Sequence, residues 1–180
     1  LSGVDVAVFD PHPESQRIVG EVIANAERAY ASLTSAPLPK RGGLTFASTM
    51  QKAVQDAEFI QESVPERLEL KRGVINQIDV FSPKTSIIGS STSGLLPSDL
   101  QAEMQYPERL LVAHPYNPVY LLPLVELVPG RKTGKKQIEQ ASEIYEQIGM
   151  KAVVLKKEIE AFVGDRLLET LWREALWLIK

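Results

Sequence analysis

Apolar and polar residues follow two periodicities along this chain, and they predict strands that alternate with helices. Short apolar runs bounded by turn residues indicate buried strands, whereas apolar residues spaced three and four apart indicate amphipathic helices. The predicted strands cover residues 4–9, 44–47, 58–63, 86–90, 110–113, 124–128 and 151–155. The predicted helices cover residues 13–35, 49–57, 65–78, 133–149 and 162–180.

Local signals define the ends of several of these elements. Pro65 suits the first turn of a helix, because the N–H that it lacks has no intrahelical partner there. Thr133 is expected to cap the following long helix, and Gly149 is expected to end it. A loop after the first helix is indicated by a group of turn-forming residues: Pro37, Pro39, Gly42 and Gly43.

This alternation favours an α/β fold, in which a mostly parallel, Rossmann-like sheet has helices on both faces. We expect residues 1–157 to form this sheet domain and residues 158–180 to begin a helical C-terminal domain. Ligands of such folds bind beyond the carboxyl ends of the strands. Polar residues at the ends of the predicted strands are therefore the first site candidates: Asp10, Glu62, Ser91, Ser93 and His114.

Composition narrows the classes of function. The 180 residues are 44% hydrophobic, which is enough for a core. A net charge of −3 argues against a general nucleic-acid surface, and no apolar run approaches the roughly 20 residues of a membrane span. The absence of cysteine excludes a thiol nucleophile and a disulfide scaffold. The two histidines are far apart in sequence, so we expect no metal site.

His114 is the strongest catalytic candidate. It follows the apolar run at residues 110–113, and Glu126 lies in the next predicted strand. An imidazole at the end of a strand, with a carboxylate on the neighbouring strand, suits a general base and its orienting partner. The alternative is a buried histidine whose ring bonds a backbone carbonyl. Asn117, three residues after the base, belongs either to the same site or to a simple Asn-Pro turn.

Asp10 is the candidate for binding a dinucleotide. An acid at the end of the second strand of a dinucleotide fold bonds the adenosine ribose, and no arginine follows Asp10 to accept a 2′-phosphate, so NAD is favoured over NADP. The alternative is an aspartate that starts the Asp-Pro-His-Pro turn. The chain has no G-x-G-x-x-G loop. We therefore expect that the first strand, glycine turn and helix are absent from it.

Three motifs carry a resemblance to a known family. They are Glu62-Ser63-Val64-Pro65-Glu66 with Lys71, Ser90-Ser91-Thr92-Ser93, and His114-Pro115-Tyr116-Asn117-Pro118 with Glu126. With them, the chain resembles the NAD-binding domain of the 3-hydroxyacyl-CoA dehydrogenase family over nearly its whole length. Residues 114–126 and 162–175 are similar to the branch that oxidises L-carnitine. Acyl-CoA members usually carry Phe-Phe after the histidine and Asn at position 165, where this chain has Asp165.

The resemblance implies a set of catalytic roles. His114 would remove the proton of a 3-hydroxyl group, and Glu126 would orient it and stabilise the imidazolium. Ser93 and Asn117 would bond the reacting oxygen or the nicotinamide carboxamide. The substrate would be a small 3-hydroxy acid, best matched by L-carnitine, which would give 3-dehydrocarnitine. The alternatives are a 3-hydroxyacyl-CoA or L-gulonate, and, from another class, a non-catalytic protein that uses the fold for binding or structure.

The resemblance also implies how the cofactor NAD would bind. Asp10 would hold the adenosine ribose, Glu66 and Lys71 would line the nicotinamide-side pocket, and Ser93 and Asn117 would also contact the cofactor. The implied protein is a cytoplasmic enzyme that forms a homodimer at full length, without nucleic-acid or membrane partners.

Some of these positions have simpler interpretations. Lys71 and Arg72 would ordinarily form a solvated helix face, and Ser93 a polar strand exit. Tyr116 and Tyr120 could recognise a trimethylammonium group through their rings, although core packing is the commoner role.

Overall fold

The computed structural model describes residues 1–33 and 39–180, and its elements follow the predicted order. The strands in this part of the chain are Val6–Val8 (β1), Leu44–Phe46 (β2), Phe59–Glu62 (β3), Ile87–Ser90 (β4), Leu110–Pro115 (β5), Leu124–Pro129 (β6) and Lys151–Val154 (β7). The helices are Ser15–Leu33 (α1), Met50–Val54 (α2), Leu68–Phe81 (α3), Pro97–Leu100 (α4), Lys135–Gln147 (α5) and Gly164–Leu178 (α6). A 3₁₀ turn covers Pro107–Arg109.

The strands form two sheets. A five-stranded sheet has the order β3-β4-β5-β6-β7, and β1 pairs with β2 in a separate parallel sheet. Neighbouring strands of the larger sheet are parallel except for β5 and β6, which are antiparallel. The prediction of a mostly parallel, Rossmann-like sheet is therefore confirmed.

Strand β5 shows why the larger sheet is buried on both faces. Its side chains alternate between two apolar clusters, as the period of a strand requires. Leu110 and Val112 join a cluster that includes Ile75 of α3, whereas Leu111 joins a second cluster that includes Tyr145 of α5. Helices therefore cover both faces, as predicted, and a near-continuous apolar strand is the sequence pattern that such a position requires.

The first strand differs from its prediction. Residues 4–9 were expected to form a buried strand, but β1 covers only Val6–Val8, and Val6 is 47% exposed. Within the described residues β1 pairs only with β2, so its side chains lack the neighbours on both sides that bury β5. Pro37, which belongs to the loop predicted after the first helix, lies outside the described residues.

The start of α3 also differs from its prediction. Pro65 was expected in the first helical turn, but α3 begins at Leu68 with Arg67 as its N-cap. The N–H of Val64 donates to Oε1 of Glu62 (2.7 Å), and the N–H of Arg67 donates to the Pro65 carbonyl (2.7 Å). These bonds hold the segment before Leu68 as a loop, and this loop forms part of the site described below.

Thr133 does not cap α5. Gly134 is the N-cap, and the Thr133 hydroxyl instead donates to the Leu110 carbonyl (2.6 Å) and accepts from the N–H of Gly130 (2.9 Å). Thr133 thus attaches the turn after β6 to the start of β5. Gly149 follows the end of α5 with φ of 88°, the left-handed conformation expected of a glycine that ends a helix.

Residues 162–180 were predicted to form a helix, and α6 lies within this range. None of its residues is buried. None of the helices in residues 1–33 and 39–180 is long and apolar enough to cross a membrane.

Candidate active site

The antiparallel pairing of β5 and β6 places His114 directly opposite Glu126. Nδ1 of His114 lies 3.0 Å from Oε2 of Glu126. Nδ1 is a donor in this bond, because an ionised carboxylate only accepts, and Nε2 of the neutral ring is then free to take up a proton. Glu126 is almost fully buried, whereas 9% of the His114 side chain remains exposed. The pair has the geometry of a general base with its orienting carboxylate.

Two aromatic rings flank the imidazole. The ring centroids of Tyr116 and Phe162 lie 5.7 Å and 5.6 Å from that of His114. Phe162 is completely buried. The rings restrict both the orientation of the imidazole and the access of water to it.

The second oxygen of Glu126 faces the start of α6. Oε1 accepts the N–H groups of Val163 (2.9 Å) and Gly164 (3.0 Å). The N-terminus of a helix favours a negative charge, so this contact stabilises the carboxylate as an anion. Burial, together with the charge and hydrogen bonding of Glu126 and the charge of Asp165, raises the pKa of Tyr116 to about 12.

A buried ion pair joins β3 to α3. Nζ of Lys71 lies 3.0 Å and 3.3 Å from the two oxygens of Glu62 and donates to the Val64 carbonyl (2.8 Å). Lys71 is 1% exposed, so its interpretation as part of a solvated helix face is wrong. Arg72 is half-buried and donates to the Asp99 carbonyl (2.7 Å). Both side chains turn inward because they meet acceptors outside α3, which are Glu62 and Val64 for Lys71 and the Asp99 carbonyl for Arg72.

Glu66 connects this ion pair to the loop after β4. Its Oε1 accepts from the hydroxyl of Thr92 and from the N–H groups of Ser93 and Gly94 (both 3.1 Å), and its Oε2 lies 3.7 Å from Nζ of Lys71. Burial raises the pKa of Glu66, but the bonds from Thr92 and Gly94, the charge of Lys71 and the bond from Ser93 outweigh it, so the pKa is lowered. Three of the predicted site residues, Glu66, Lys71 and Ser93, therefore belong to one network.

The remaining predicted residues stand apart from this network. Asn117 is exposed in the loop after β5, and its peptide bond to Pro118 is cis. Asp10 is exposed beyond the end of β1, on the smaller sheet, and accepts the N–H of His12 (2.7 Å). Among the described residues, neither side chain has a hydrogen bond or ion pair with His114 or Glu126.

A pocket of about 180 Å³ lies at the end of β1. Its lining includes Asp10, whose Oδ1 accepts the N–H of His12, and no hydrogen bond to Oδ2 is found among residues 1–33 and 39–180. The geometry of Asp10 is therefore compatible with both roles considered for it, turn formation and ribose binding. The other lining residues are Val8, His12, Ser15, Ile18 and Val19.

Two residues of this region were not expected from the sequence, the helix-start residues Val163 and Gly164. Glu62 was a site candidate at the end of a predicted strand, but its buried pairing with Lys71, nine positions later, was not predicted. No comparable local signal pointed to Val163 and Gly164, since their contacts with Glu126 span 37 and 38 positions.

The comparison with known protein families decides the family. The model of the 3-hydroxyacyl-CoA dehydrogenase NAD binding domain matches residues 1–159. This chain belongs to that family. The predicted family and the predicted cofactor, NAD, are thereby confirmed.

The curated relatives are more similar to this chain in sequence than the solved structures are. The chain is 71% identical over 180 residues to an L-carnitine dehydrogenase/betainyl-CoA thioesterase from a Rhizobium species, and it spans 36% of that protein. It is 61% identical over 181 residues to an L-carnitine dehydrogenase from Mesorhizobium japonicum, of which it spans 50%. In both cases the whole of this chain is aligned. The chain thus spans between about a third and half of the length of these relatives.

Solved structures share the fold. An NAD⁺-dependent dismutase, 5-formyl-3-hydroxy-2-methylpyridine 4-carboxylic acid 5-dehydrogenase, superposes with a TM-score of 0.90 at 32% identity, over 99% of this chain and 58% of the other. A diketoreductase superposes with a TM-score of 0.88 at 27% identity, over 99% of this chain and 65% of the other.

Proposed function

We propose that this chain is the NAD-binding part of a dehydrogenase that oxidises the 3-hydroxyl group of a small 3-hydroxy acid. The observation that carries the proposal is the buried His114–Glu126 pair, in which Nε2 of the imidazole is left to accept a proton. L-carnitine is the best candidate substrate, with 3-dehydrocarnitine as the product. Relatives named as L-carnitine dehydrogenases are 61% to 71% identical to the chain, and this supports the choice.

In the proposed reaction, His114 acts as the general base. Nε2 takes the proton of the substrate hydroxyl, and the imidazolium that forms is stabilised by the carboxylate of Glu126 at 3.0 Å. Bound NAD supplies the hydride-accepting chemistry. General-base catalysis of this type contributes on the order of 10²–10⁴-fold in rate. The low local exposure strengthens the electrostatic contribution of Glu126, because buried charges are weakly screened.

Ser93 and Asn117 are proposed to bond the reacting oxygen or the nicotinamide carboxamide. They lie in the loops that follow β4 and β5, which are neighbours in the sheet, and both residues are exposed to a ligand. The N–H of Ser93 donates to Glu66, and this bond orders the loop that carries the Ser93 hydroxyl.

Asp10 and Glu66 are proposed to contact NAD, and Lys71 to support Glu66 from the interior. The pocket beside Asp10 suits the adenosine ribose, and the side chain of Glu66 is 45% exposed, which leaves it accessible to the nicotinamide side. The completely buried Lys71 acts by holding the carboxylates of Glu62 and Glu66 in place.

The division at residue 157 and a homodimer at full length also belong to this proposal. The exposed apolar face of α6 supports both, because contiguous apolar patches usually mark interfaces. Its exposed residues include Leu167, Leu168, Leu171, Trp172 and Trp177.

The assignment is tested with purified full-length protein and NAD. NADH formation is measured with L-carnitine, L-gulonate and 3-hydroxybutyryl-CoA. The proposal expects the highest kcat/KM with L-carnitine. A higher value with L-gulonate or the CoA ester would replace the proposed substrate, and no turnover with a broad panel of 3-hydroxy acids would favour a non-catalytic role.

A further inference from the structure

We propose that the first turn of α6 contributes to acid–base catalysis. In this proposal Val163 and Gly164 are positioning residues that hold Glu126 against His114. The inference rests on the proposed role of His114 as the base. It assigns to the segment of residues 161–164 a function in proton transfer, although this segment lies about 50 positions along the chain from the histidine.

The first observation is that the two oxygens of Glu126 bond different partners. Oε2 bonds the imidazole at 3.0 Å, while Oε1 accepts two backbone N–H groups at 2.9 Å and 3.0 Å. A carboxylate that is held at both oxygens cannot rotate without losing bonds on one side. Because Glu126 is 2% exposed, water cannot readily replace the lost bonds. The position of Val163 and Gly164 therefore fixes the orientation of the carboxylate, and through it the tautomer and orientation of His114.

The second observation is a close approach that requires glycine at position 164. A Cβ atom there would lie 1.4 Å from the Tyr116 hydroxyl oxygen and 2.4 Å from Cζ of the same ring. The ring of Tyr116 in turn lies 5.7 Å from that of His114. Tyr116 can therefore pack between the imidazole and the helix only if residue 164 has no side chain.

The third observation is the backbone that leads into the helix. Ala161 and Phe162 both have positive φ, 56° and 46°, a region that is unfavourable for residues with a side chain. Such a conformation persists where surrounding contacts determine it. The ring of Phe162 supplies them, since it is completely buried and lies 5.6 Å from His114. The chain therefore enters α6 in a strained conformation that directs the N–H groups of Val163 and Gly164 to Glu126.

The test is the substitution Gly164→Ala in the full-length protein. The added methyl group collides with the ring of Tyr116. A shift of the start of α6 lengthens the Glu126 bonds, and a shift of the ring removes a neighbour of the imidazole, so either response loosens the orientation of His114. Misplacement of a reacting group by about 1 Å costs on the order of 10²-fold in rate, so we expect kcat to fall by about that factor while KM for NAD changes little. The KM for NAD separates a positioning effect from a general loss of structure, because unfolding would also weaken NAD binding.

A matched control and a rescue separate this effect from a general loss of structure. Gly73→Ala adds the same methyl group in α3, where nothing lies within 4 Å of the new atom, and should leave kcat and the KM for NAD unchanged. The double variant Gly164→Ala with Tyr116→Ala removes the collision. It should therefore fold as Tyr116→Ala does and match that single variant in kcat and in the KM for NAD, even where Gly164→Ala alone fails to fold.

The outcomes distinguish the inference from the function on which it rests. The inference is overturned when a folded Gly164→Ala protein behaves like Gly73→Ala, or when removal of Tyr116 leaves the full deficit of Gly164→Ala in place. If His114→Ala retains full turnover, the proposed function itself fails. If His114→Ala loses turnover and Gly164→Ala does not, only the inference fails.

Discussion

Replacing Lys71 by methionine tests the buried ion pair, because methionine keeps much of the side-chain volume while removing the charge. Lys71 and Glu62 have exposed side-chain fractions of 1% and 0%, and Nζ of Lys71 makes three contacts of 3.3 Å or less with Glu62 and Val64. In Lys71→Met, Glu62 keeps only the donors of Val64 and Ser90 in this network.

The loss of one partner of a buried pair costs about 3–5 kcal/mol. The two remaining donors place the expected loss near the lower limit, at about 3 kcal/mol in the free energy of unfolding. For a urea dependence of about 1–3 kcal/mol per molar, the unfolding midpoint should fall by about 1–3 M. Urea unfolding followed by circular dichroism measures this change.

The matched control is Lys135→Met. Lys135 has an exposed partner, Glu139, at 3.8 Å, with exposed fractions of 90% and 61%. Exposed pairs of this kind contribute about 0–1 kcal/mol, so the control should unfold almost as the unmodified protein does. Adding Glu62→Gln to Lys71→Met should recover part of the stability, since no unpaired buried charge remains. A loss in Lys71→Met no larger than in Lys135→Met would refute the account of this cluster.

Two further predictions concern pH. The pKa of Glu66 is lowered in the folded state, so its ionised form adds stability above the unfolded pKa, and this is lost as pH falls through the folded pKa. Glu66→Gln should therefore unfold more easily than the unmodified protein at neutral pH but not in acid; an equal deficit at both would contradict this. Folding raises the pKa of Tyr116 from 10.0 to about 12. The contribution of its neutral form to the stability of the fold is therefore complete below pH 10 and is lost as pH rises through about 12. In an ultraviolet pH titration, Tyr116→Phe should therefore lack one of the tyrosines that ionise late. If an early-ionising tyrosine is missing instead, the result would count against this environment.

Periodicity was sufficient to predict the strands of the larger sheet, because buried strands require apolar runs. It did not distinguish β1, whose run Val6–Val8 is equally apolar but mostly exposed. Burial depends on neighbouring strands and on a covering layer, and neither is encoded in the run itself.

The candidate site was predictable to a different extent at each residue. His114 and Glu126 were expected on neighbouring strands, and the structure adds the antiparallel register that places them opposite each other. The burial of Lys71 could not be predicted from its own helix, because its acceptors lie outside that helix, Glu62 at the end of β3 and Val64 in the loop that follows. Thr133 was assigned to a helix cap from local propensity alone, whereas a carbonyl 23 positions away is its acceptor.

The central claim is that His114 removes the substrate proton, and its most direct test is the kcat/KM with L-carnitine and NAD for His114→Ala. The account predicts a loss of about 10²–10⁴-fold, with NAD binding retained. The control is Lys135→Ala, which shortens a side chain that is 90% exposed on α5 and should retain full activity. A His114→Ala protein that matches Lys135→Ala in kcat/KM would contradict the account.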